Sequence, residues 1–549
     1  MSTLKPKLFT TLKDYSKEQF LKDVTAGIIV AIIALPLSIA LAISSGVTPE
    51  KGLYTAIVAG FLISMLGGSR VQIGGPTGAF MVIVYGIVSE FGVDGLVIAT
   101  IMAGIIMIIM GLLKLGSAIK FIPYPITTGF TSGIALVIFS SQIKDFFGLQ
   151  MGGVPVEFVE KWGSYFKAFN TINIQTTLIG ILALLIIVLW PKVNKKIPGA
   201  LIALVITSII VKILGLEVAT IGSKYGELSS NLPSMNIPNL DMNKIKLLIV
   251  PAFTIAILGS IESLLSAVVA DGMIGGKHRS NMELVAQGVA NIGSGLFGGI
   301  PATGAIARTA ANIKNGGRTP VAGMVHALTL LLILVVFMPF AKMIPLSSLA
   351  AILMVVSYNM SEWREFKSLL KSPKSDVAVL IVTFSITVLF DLVKAIEIGM
   401  ILSAFLFMKR MAEVSNVNTF LLDAAEEQEE ECTDSIRGTS LKLTSNNNVQ
   451  VYEINGPFFF GAADKFMEAM NEVGNEVETL IIDMKNVPAM DATALHAFQR
   501  MIDMCKDKNI KIIISGIKEQ PKLVLEKSAI INLIGENNIF MNLEDAIIS

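Results

Sequence analysis

The sequence predicts a multi-pass α-helical membrane protein followed by a small α/β domain, and three observations support that fold class. Of the 549 residues, 53% are hydrophobic and 16% are charged, whereas soluble domains use about 25% charged residues. Apolar runs of about 20 residues, the length that crosses a bilayer, recur as far as Lys409. Beyond Lys409 the composition turns polar, and strand and helix patterns alternate.

The hydropathy pattern predicts about fourteen membrane segments. The long apolar runs lie at about 24–45, 94–113, 125–143, 172–190, 198–215, 247–270, 321–340 and 376–391. Shorter, glycine-rich segments lie at about 52–66, 79–91, 284–297, 304–313, 346–358 and 394–409. Interrupted helices of this kind occur at membrane depth only where their open backbone groups line a cavity or are buried in protein.

The distribution of charged residues along the chain predicts its orientation in the membrane. The 43 basic and 43 acidic residues cancel, so net charge gives no reason to expect a nucleic acid partner. Basic residues gather in the loops that the positive-inside rule assigns to the cytoplasm. Met1 to Lys22 lacks the apolar core and cleavage site of a signal peptide. We therefore expect a cell-membrane protein, of a bacterial inner membrane, with both termini in the cytoplasm.

The same patterns divide the chain into domains. We expect a cytoplasmic N-terminal segment at 1–22, a transmembrane domain at 23–412, an acidic linker at 413–437 and a cytoplasmic α/β domain at 438–549. In the last domain the predicted strands are 441–444, 449–455, 479–484 and 511–515, and the predicted helices are 461–473, 491–507 and 520–530. The two cysteines of the chain, Cys432 in the linker and Cys505 in the last domain, lack the spacing of a metal site or a redox pair.

An internal repeat is the sharpest signal in the sequence. Thr-Gly-Ala occurs at Thr77 and again at Thr303, 226 positions later, each time after a glycine pair and a proline. Each copy opens a short apolar segment. With seven segments in each half, the two copies run in opposite directions across the membrane.

Two half-helices that begin near the bilayer midplane point their N-termini at a common place, and each N-terminus carries roughly half a positive charge. That place attracts an anion. Gly78 and Gly304 would let a ligand approach the backbone closely, and Thr77 and Thr303 would cap a helix or offer a hydroxyl. The alternative is that the small residues only allow close helix packing.

Ionisable residues at membrane depth suggest coupling. Glu262 lies in the middle of an apolar run, where a carboxylate is costly and therefore a functional candidate. It could carry a proton with the anion, or hold Na⁺ together with Ser266 one turn later. The alternative is a protonated side chain that hydrogen-bonds to a neighbouring helix.

Arg308 lies one turn after Thr303 and would add a full positive charge to the anion site. Its alternative role is a side chain that reaches the cytoplasmic surface, as long basic side chains near helix ends do. The three histidines, His278, His326 and His496, resemble neither a ligand set nor a catalytic triad. We therefore expect no metal, no cofactor and no enzymatic activity.

Several motifs, in order, resemble the SulP family of sulfate-permease-like anion transporters. They are Leu35 to Ala40, Gly52 to Tyr54, Gly74 to Ala79, Glu262 to Leu265 and Pro301 to Thr309. The resemblance implies a seven-plus-seven inverted repeat with a mobile core and a gate, a substrate site between the third and tenth helices, and a cytoplasmic STAS domain. It also implies a homodimer that works by an elevator-like movement.

The resemblance assigns particular residues to the site. Carried over, the substrate site would use Thr77, Gly78, Ala79 and Phe80 with Thr303, Gly304 and Ala305, and Arg308 would take the family's basic position. Na⁺-coupled bicarbonate members look different at Glu262, where they have an aspartate followed by a threonine one turn later. That difference favours protons over Na⁺.

The C-terminal domain resembles STAS domains at Leu480 to Asp483 and at Met490 to Thr493. Related anti-sigma antagonists have a phosphorylatable serine where Ala492 stands. We therefore expect a scaffold or a regulatory module that could bind a cytosolic protein.

Together these features predict a secondary active transporter of a small anion, namely bicarbonate, sulfate or a dicarboxylate, with proton symport favoured. A Na⁺-coupled bicarbonate symporter is the first alternative. A nucleobase carrier is another, although the tenth helix here offers Arg308 and no acid. An anion sensor that signals through the STAS domain is the last.

Overall fold

The computed structural model describes residues 4–117, 122–194, 197–226, 230–235, 238, 242–390, 392–422, 449–471 and 477–549. The chain divides into two compact units, Met1–Ile401 and Leu402–Ser549, here called the membrane unit and the C-terminal unit.

Helices dominate the membrane unit and match the predicted segments, and the last of these helices continues past Ile401 into the C-terminal unit. In order they are α1 Leu8–Thr11, α2 Lys17–Ser44, α3 Pro49–Leu66, α4 Met81–Leu112, α5 Tyr124–Ser141, α6 Ile143–Phe147, α7 Phe158–Ala168, α8 Ile174–Val193, α9 Gly199–Leu214, α10 Ile221–Tyr225, α11 Met242–Ile274, α12 Ser280–Leu296, α13 Ile306–Lys314, α14 Pro320–Ala341, α15 Leu346–Met360, α16 Trp363–Leu369, α17 Lys374–Leu389 and α18 Leu392–Val414. Among the described residues, six helices are long and apolar enough to cross a bilayer. The shorter segments rely on protein neighbours.

Two predicted segments, 79–91 and 94–113, form one continuous stretch. The 3₁₀ turn Gly78–Phe80 leads into α4, which breaks at Gly92, where φ is 71° and ψ is −175°. This left-handed conformation is accessible to glycine. The break therefore lies between the two predicted segments.

Helix packing repeats itself between the two halves. Helix α2 packs on α14 as α11 packs on α4, α3 packs on α14 as α12 packs on α4, and α5 packs on α17 as α15 packs on α8. In each case, one helix of the first pair is replaced by its counterpart seven predicted segments later, and the other by its counterpart seven predicted segments earlier. The membrane unit is thus an inverted repeat with two helix groups, a core (α2, α3, α4, α11, α12, α13, α14) and a gate (α5, α8, α9, α15, α17, α18).

Small residues bring the core helices close together. Gly104 of α4 lies against Gly288 of α12, and a Cβ on either residue would collide with the backbone carbonyl of the other. Because lipid tails provide no hydrophobic force between helices, such close approach is a main source of packing energy in a membrane. The core helices therefore form a closely packed block.

The membrane unit contains two short strands, β1 (Gly74–Gly75) and β2 (Thr303–Gly304). The C-terminal unit is a small α/β domain with a five-stranded sheet, whose strands β3 to β7 are neighbours in chain order. Strand β3 (Asn416–Leu422) is antiparallel to β4, and the remaining pairs are parallel. The other strands are β4 Val449–Asn455, β5 Thr479–Asn486, β6 Lys511–Ser515 and β7 Ile539–Phe540, and the helices are α19 Phe460–Asn471, α20 Ala492–Asp507, α21 Glu519–Lys527, α22 Ile530–Ile534 and α23 Leu543–Ile548.

The predicted strands at 449–455, 479–484 and 511–515 match β4, β5 and β6. The strand predicted at 441–444, Cys432 and most of the expected linker lie outside the described residues. Strand β3 falls within the segment 413–437 that we expected to be linker, because its sequence, Asn-Val-Asn-Thr-Phe-Leu-Leu, favours a strand just before the acidic residues.

The surroundings of Asp491 and Cys505 explain what these two side chains do in the C-terminal unit. The Asp491 side chain caps α20 by accepting a hydrogen bond from the Ala494 N–H at 2.8 Å. Burial raises the pKa of Cys505 to about 11, so this thiol stays protonated and unreactive at neutral pH.

Candidate functional site

The two Thr-Gly-Ala segments meet at the centre of the core. Just before the first segment, β1 (Gly74–Gly75) pairs antiparallel with β2 (Thr303–Gly304), with Gly74 opposite Gly304 and Gly75 opposite Thr303. Extending this register by one residue places Pro76 opposite Ala302. These two residues are also 226 positions apart, so the pseudo-two-fold axis of the repeat passes between them.

Polar side chains from two helices hold the crossing segments in place. Asn291 of α12 donates to the Ala302 carbonyl and accepts from the Ala302 N–H, both at 2.9 Å. From α13, Asn312 donates to the Val71 carbonyl at 2.8 Å, and the Thr309 hydroxyl accepts from the Ile73 N–H at 3.0 Å. The extended backbone at membrane depth is therefore satisfied by protein groups, as a water-free environment requires.

The two threonines do not cap their helices. Thr77 precedes the turn Gly78–Phe80 in an extended conformation, and its buried hydroxyl has no partner among the described residues. The Thr303 hydroxyl instead donates to the Gly259 carbonyl of α11 at 2.8 Å. Of the two roles expected for these threonines, capping is thus excluded, because Thr77 accepts no hydrogen bond from the turn that follows it and α13 starts only after Ala305. The other role, a hydroxyl offered to the ligand, stays a prediction.

The two glycines have different neighbours. A Cβ on Gly304 would overlap the side-chain amide of Gln72, whereas a Cβ on Gly78 would lie 2.8 Å from Ile138 of α5 and 3.2 Å from the sulfur of Met360 in α15. The Gln72 amide therefore occupies the space on the side of Gly304 where a Cβ would lie, and the approach of a ligand to Gly304 stays a prediction. Gly78 lies where the core meets the gate.

The remaining members of the first segment and Ala305 complete this centre. Ala79 and Phe80 are buried, and the Phe80 ring lies against Gly259, the residue whose carbonyl accepts from Thr303. The Ala305 N–H donates to the Ile73 carbonyl at 2.8 Å. Gly259 is one turn before Glu262 on α11, so both segments contact the helix that carries the acid.

Arg308 lies inside the core and does not reach the surface. Its side chain is 1% exposed, and its Nη2 donates to the Pro76 carbonyl at 3.1 Å and the Ser38 hydroxyl at 3.4 Å. Its Nη1 lies against Gly75, and neither Nη1 nor Nε has a partner among the described residues. A buried guanidinium without a carboxylate is an uncompensated charge, and an anion would compensate it.

Glu262 and Ser266 lie on α11 with different partners. Among the described residues, the Glu262 carboxyl makes no hydrogen bond and no ion pair, so the alternative of a hydrogen bond to a neighbouring helix has no support. The buried Ser266 hydroxyl lies 3.4 Å from the Thr309 hydroxyl of α13. Ser266 therefore links α11 to the helix of Arg308.

Sequence reasoning missed a fully buried acid of the core, Glu283 of α12. Its carboxylate accepts from the N–H groups of Gly68 and Ser69 at 2.8 and 2.9 Å, from the Gln287 amide at 2.9 Å and from the Ser263 hydroxyl at 3.3 Å. The Gln72 amide in turn donates to Ser263. The chain of contacts runs from Glu283 to the residue that packs on Gly304.

A signal for this network was present in the sequence. Glu283, Gln287 and Asn291 are spaced four apart, so they form a polar stripe on one face of a membrane helix. Such a stripe must face protein rather than lipid. The predicted segment 284–297 began one residue too late to include the acid.

This fold and site define a class: a multi-pass membrane transporter for anions, not an enzyme. The chain belongs to the sulfate permease family, whose sequence profile matches residues 20–383. The profile of the STAS domain matches residues 440–546.

Relatives agree with this assignment. The "Putative sulfate transporter YvdB" of Bacillus subtilis is 43% identical over 530 residues, 96% of this chain and 97% of that protein. The solved transmembrane domain of a cyanobacterial bicarbonate transporter, BicA, is 31% identical, with a TM-score of 0.64 over 70% of this chain and 98% of that one. Murine Slc26a9 has the same fold, with a TM-score of 0.86 at 19% identity over 99% of this chain and 93% of that one.

Proposed function

We propose that this chain is a secondary active transporter that carries a small oxyanion, namely bicarbonate, sulfate or a dicarboxylate, in symport with protons. The observation that carries the proposal is the buried, partly unpaired guanidinium of Arg308 beside the place where the two half-helices begin. A buried guanidinium with no carboxylate bonded to it among the described residues favours a ligand that brings its own negative charge. Relatives named for sulfate and for bicarbonate support oxyanions as the class.

Proton coupling is proposed through Glu262. A carboxyl without a hydrogen-bond partner at membrane depth gains most from taking up a proton when the anion enters. Na⁺ coupling would require oxygen ligands around the ion. Ser266, the candidate second ligand, lies by Thr309 instead, so we favour protons.

Movement is proposed to be of the elevator type. The core moves as one body because its helices pack closely through glycines and because its crossing segments are held by α12 and α13. The gate helices contact it at Gly78 through Ile138 and Met360, flexible side chains that can exchange partners. Cytoplasmic termini, the bacterial inner membrane, a homodimer and a cytosolic partner of the STAS domain stay predictions from the sequence.

Uptake into proteoliposomes tests the proposal. Radiolabelled bicarbonate, sulfate and a dicarboxylate are offered separately, each with and without an inward proton gradient and an inward Na⁺ gradient. We expect one of them to accumulate with the proton gradient and not with Na⁺ alone. Accumulation that follows Na⁺ would establish the Na⁺-coupled alternative, and tight binding without uptake under any gradient would establish a sensor.

A further inference from the structure

An apolar crevice lies between the core and the gate at one face of the membrane unit. It has a volume of about 270 Å³ and runs between α9 and α14, with Leu201, Leu204, Phe337 and Phe340 among its lining residues. Phe337 and Phe340 are 57% and 59% exposed. Since α9 and α14 are membrane helices, their exposed apolar side chains face lipid, and the crevice opens to the bilayer.

A second pocket, more polar than the crevice, continues from it toward the ends of the same helices. It has a volume of about 440 Å³ and is lined by Lys212 and Lys342, among others. Ser208 and Met343 line both cavities. Lys212 lies in the last turn of α9, and Lys342 directly follows α14, so both ammonium groups belong to the same membrane interface.

One face of α9 changes in character from apolar to cationic. Leu204, Ser208 and Lys212 follow one another at intervals of four residues, so they lie on one face of the helix. The Ser208 hydroxyl is buried and has no partner among the described residues. A buried hydroxyl without a partner is costly, and here it lies between the apolar and the charged part.

We propose that an anionic phospholipid of this leaflet binds between α9 and α14. An acyl chain fills the crevice, the Ser208 hydroxyl donates to an ester oxygen of the glycerol, and Lys212 and Lys342 hold the phosphate. The order of apolar, hydroxyl and cationic groups along the cleft matches the order of groups in such a lipid. Because α9 belongs to the gate and α14 to the core, the lipid contacts both groups of helices, and it does so away from Arg308.

Native mass spectrometry of the purified full-length protein tests the site. The protein is offered equimolar phosphatidylglycerol and phosphatidylcholine with the same acyl chains, so that only the head group differs. Each lysine near an anionic lipid contributes about fivefold in binding, so we expect a preference of roughly 30-fold for phosphatidylglycerol. The double variant Lys212→Gln, Lys342→Gln should bind both lipids alike.

Matched variants separate the head group from the tail. Lys244→Gln combined with Lys246→Gln removes two exposed lysines at the start of α11, the next membrane helix after α9, and neither lysine lines the pocket. This variant should keep the preference. Leu204→Trp fills the crevice and should reduce retention of both lipids. Ser208→Ala should weaken retention of both lipids by a smaller factor.

Equal retention of the two lipids by the natural protein would overturn the proposal, as would a preference that survives the double lysine substitution. Displacement of the lipid by inorganic phosphate would show an ion pocket instead of a lipid site. A photoreactive phosphatidylglycerol provides a second readout if a variant folds poorly. It should label the peptide that contains Ser208 in the natural protein, and labelling elsewhere would contradict the site.

Discussion

The two crossing segments share a tripeptide and differ in everything around it. In the first, the Thr77 hydroxyl has no partner among the described residues and Gly78 meets gate side chains. In the second, the Thr303 hydroxyl donates to the Gly259 carbonyl of α11, and the Gln72 amide occupies the space beside Gly304. The backbone of the two segments is thus symmetric, whereas the side chains give the core–gate contact to the first segment and the bracing contacts to the second. We propose that the ligand contacts the first segment.

Charge shows the same asymmetry. Arg308 belongs to the second half, and the residue 226 positions earlier is Val82. The arginine nevertheless reaches across to the first segment, where it bonds to the Pro76 carbonyl. In the proposed anion site, the two segments therefore share one cation.

Among the variants that test the difference between the two segments, Arg308→Met is expected to have the largest effect, a loss of anion affinity. Arg308→Met should lower anion affinity on the order of 100-fold, because it removes a buried charge that the ligand pairs with. It should leave thermal stability unchanged or raised, since an apolar side chain replaces an uncompensated charge. Uptake kinetics and thermal unfolding measure the two effects.

Lys314 provides the control for Arg308. It is exposed at the end of α13, so Lys314→Met should change affinity less than twofold, about the scale of a screened surface charge. Equal losses in the two variants would place the anion elsewhere.

Substitution of Glu283 should affect stability, whereas substitution of Glu262 should affect proton coupling. Glu283→Gln should lower stability by about 2–3 kcal/mol, because the amide presents N–H groups to donors that now bond to a carboxylate. Glu262→Gln should leave stability unchanged and abolish the acceleration of uptake by an inward proton gradient. Thermal unfolding and uptake at several external pH values distinguish them, and an unchanged pH dependence in Glu262→Gln would refute proton coupling there.

The glycines should separate packing from movement. Gly304→Ala displaces the Gln72 amide from its bond to Ser263 and should lower the unfolding temperature. Gly78→Ala meets Ile138 and Met360, which can shift, so the unfolding temperature should hold while the maximal uptake rate falls. A lower unfolding temperature for Gly78→Ala, with an unchanged one for Gly304→Ala, would mean that the first segment, and not the second, is held by its side-chain contacts.

The smallest effects are expected at the threonines. Thr303→Val removes one buried hydrogen bond and should cost about 1 kcal/mol of stability with little change in affinity. Thr77→Val should lower anion affinity severalfold and leave stability unchanged, because its hydroxyl has no protein partner to lose. A loss of affinity in Thr303→Val together with a loss of stability in Thr77→Val would contradict the roles assigned to the two segments.

Much of this arrangement could be predicted from the sequence. Hydropathy located the segments, and the repeated Thr-Gly-Ala located the place where the halves meet, because both signals are local or repeat at a fixed offset. The pairing of β1 with β2 could not be predicted, since two-residue strands have no periodicity. The same holds for Gln72 on Gly304, a contact between residues distant in sequence.

The single cation of the site has an electrical consequence. In the proposed cycle, Arg308 and ionised Glu262 sum to zero when the core is empty, and they again sum to zero when a proton and a monovalent anion are bound. Loading sulfate instead leaves one net negative charge on the moving core, and moving such a charge against 100 mV costs about 2.3 kcal/mol. Membrane voltage would then slow the uptake of divalent cargo and leave monovalent cargo unaffected, so a voltage clamp can read the valence of the natural anion.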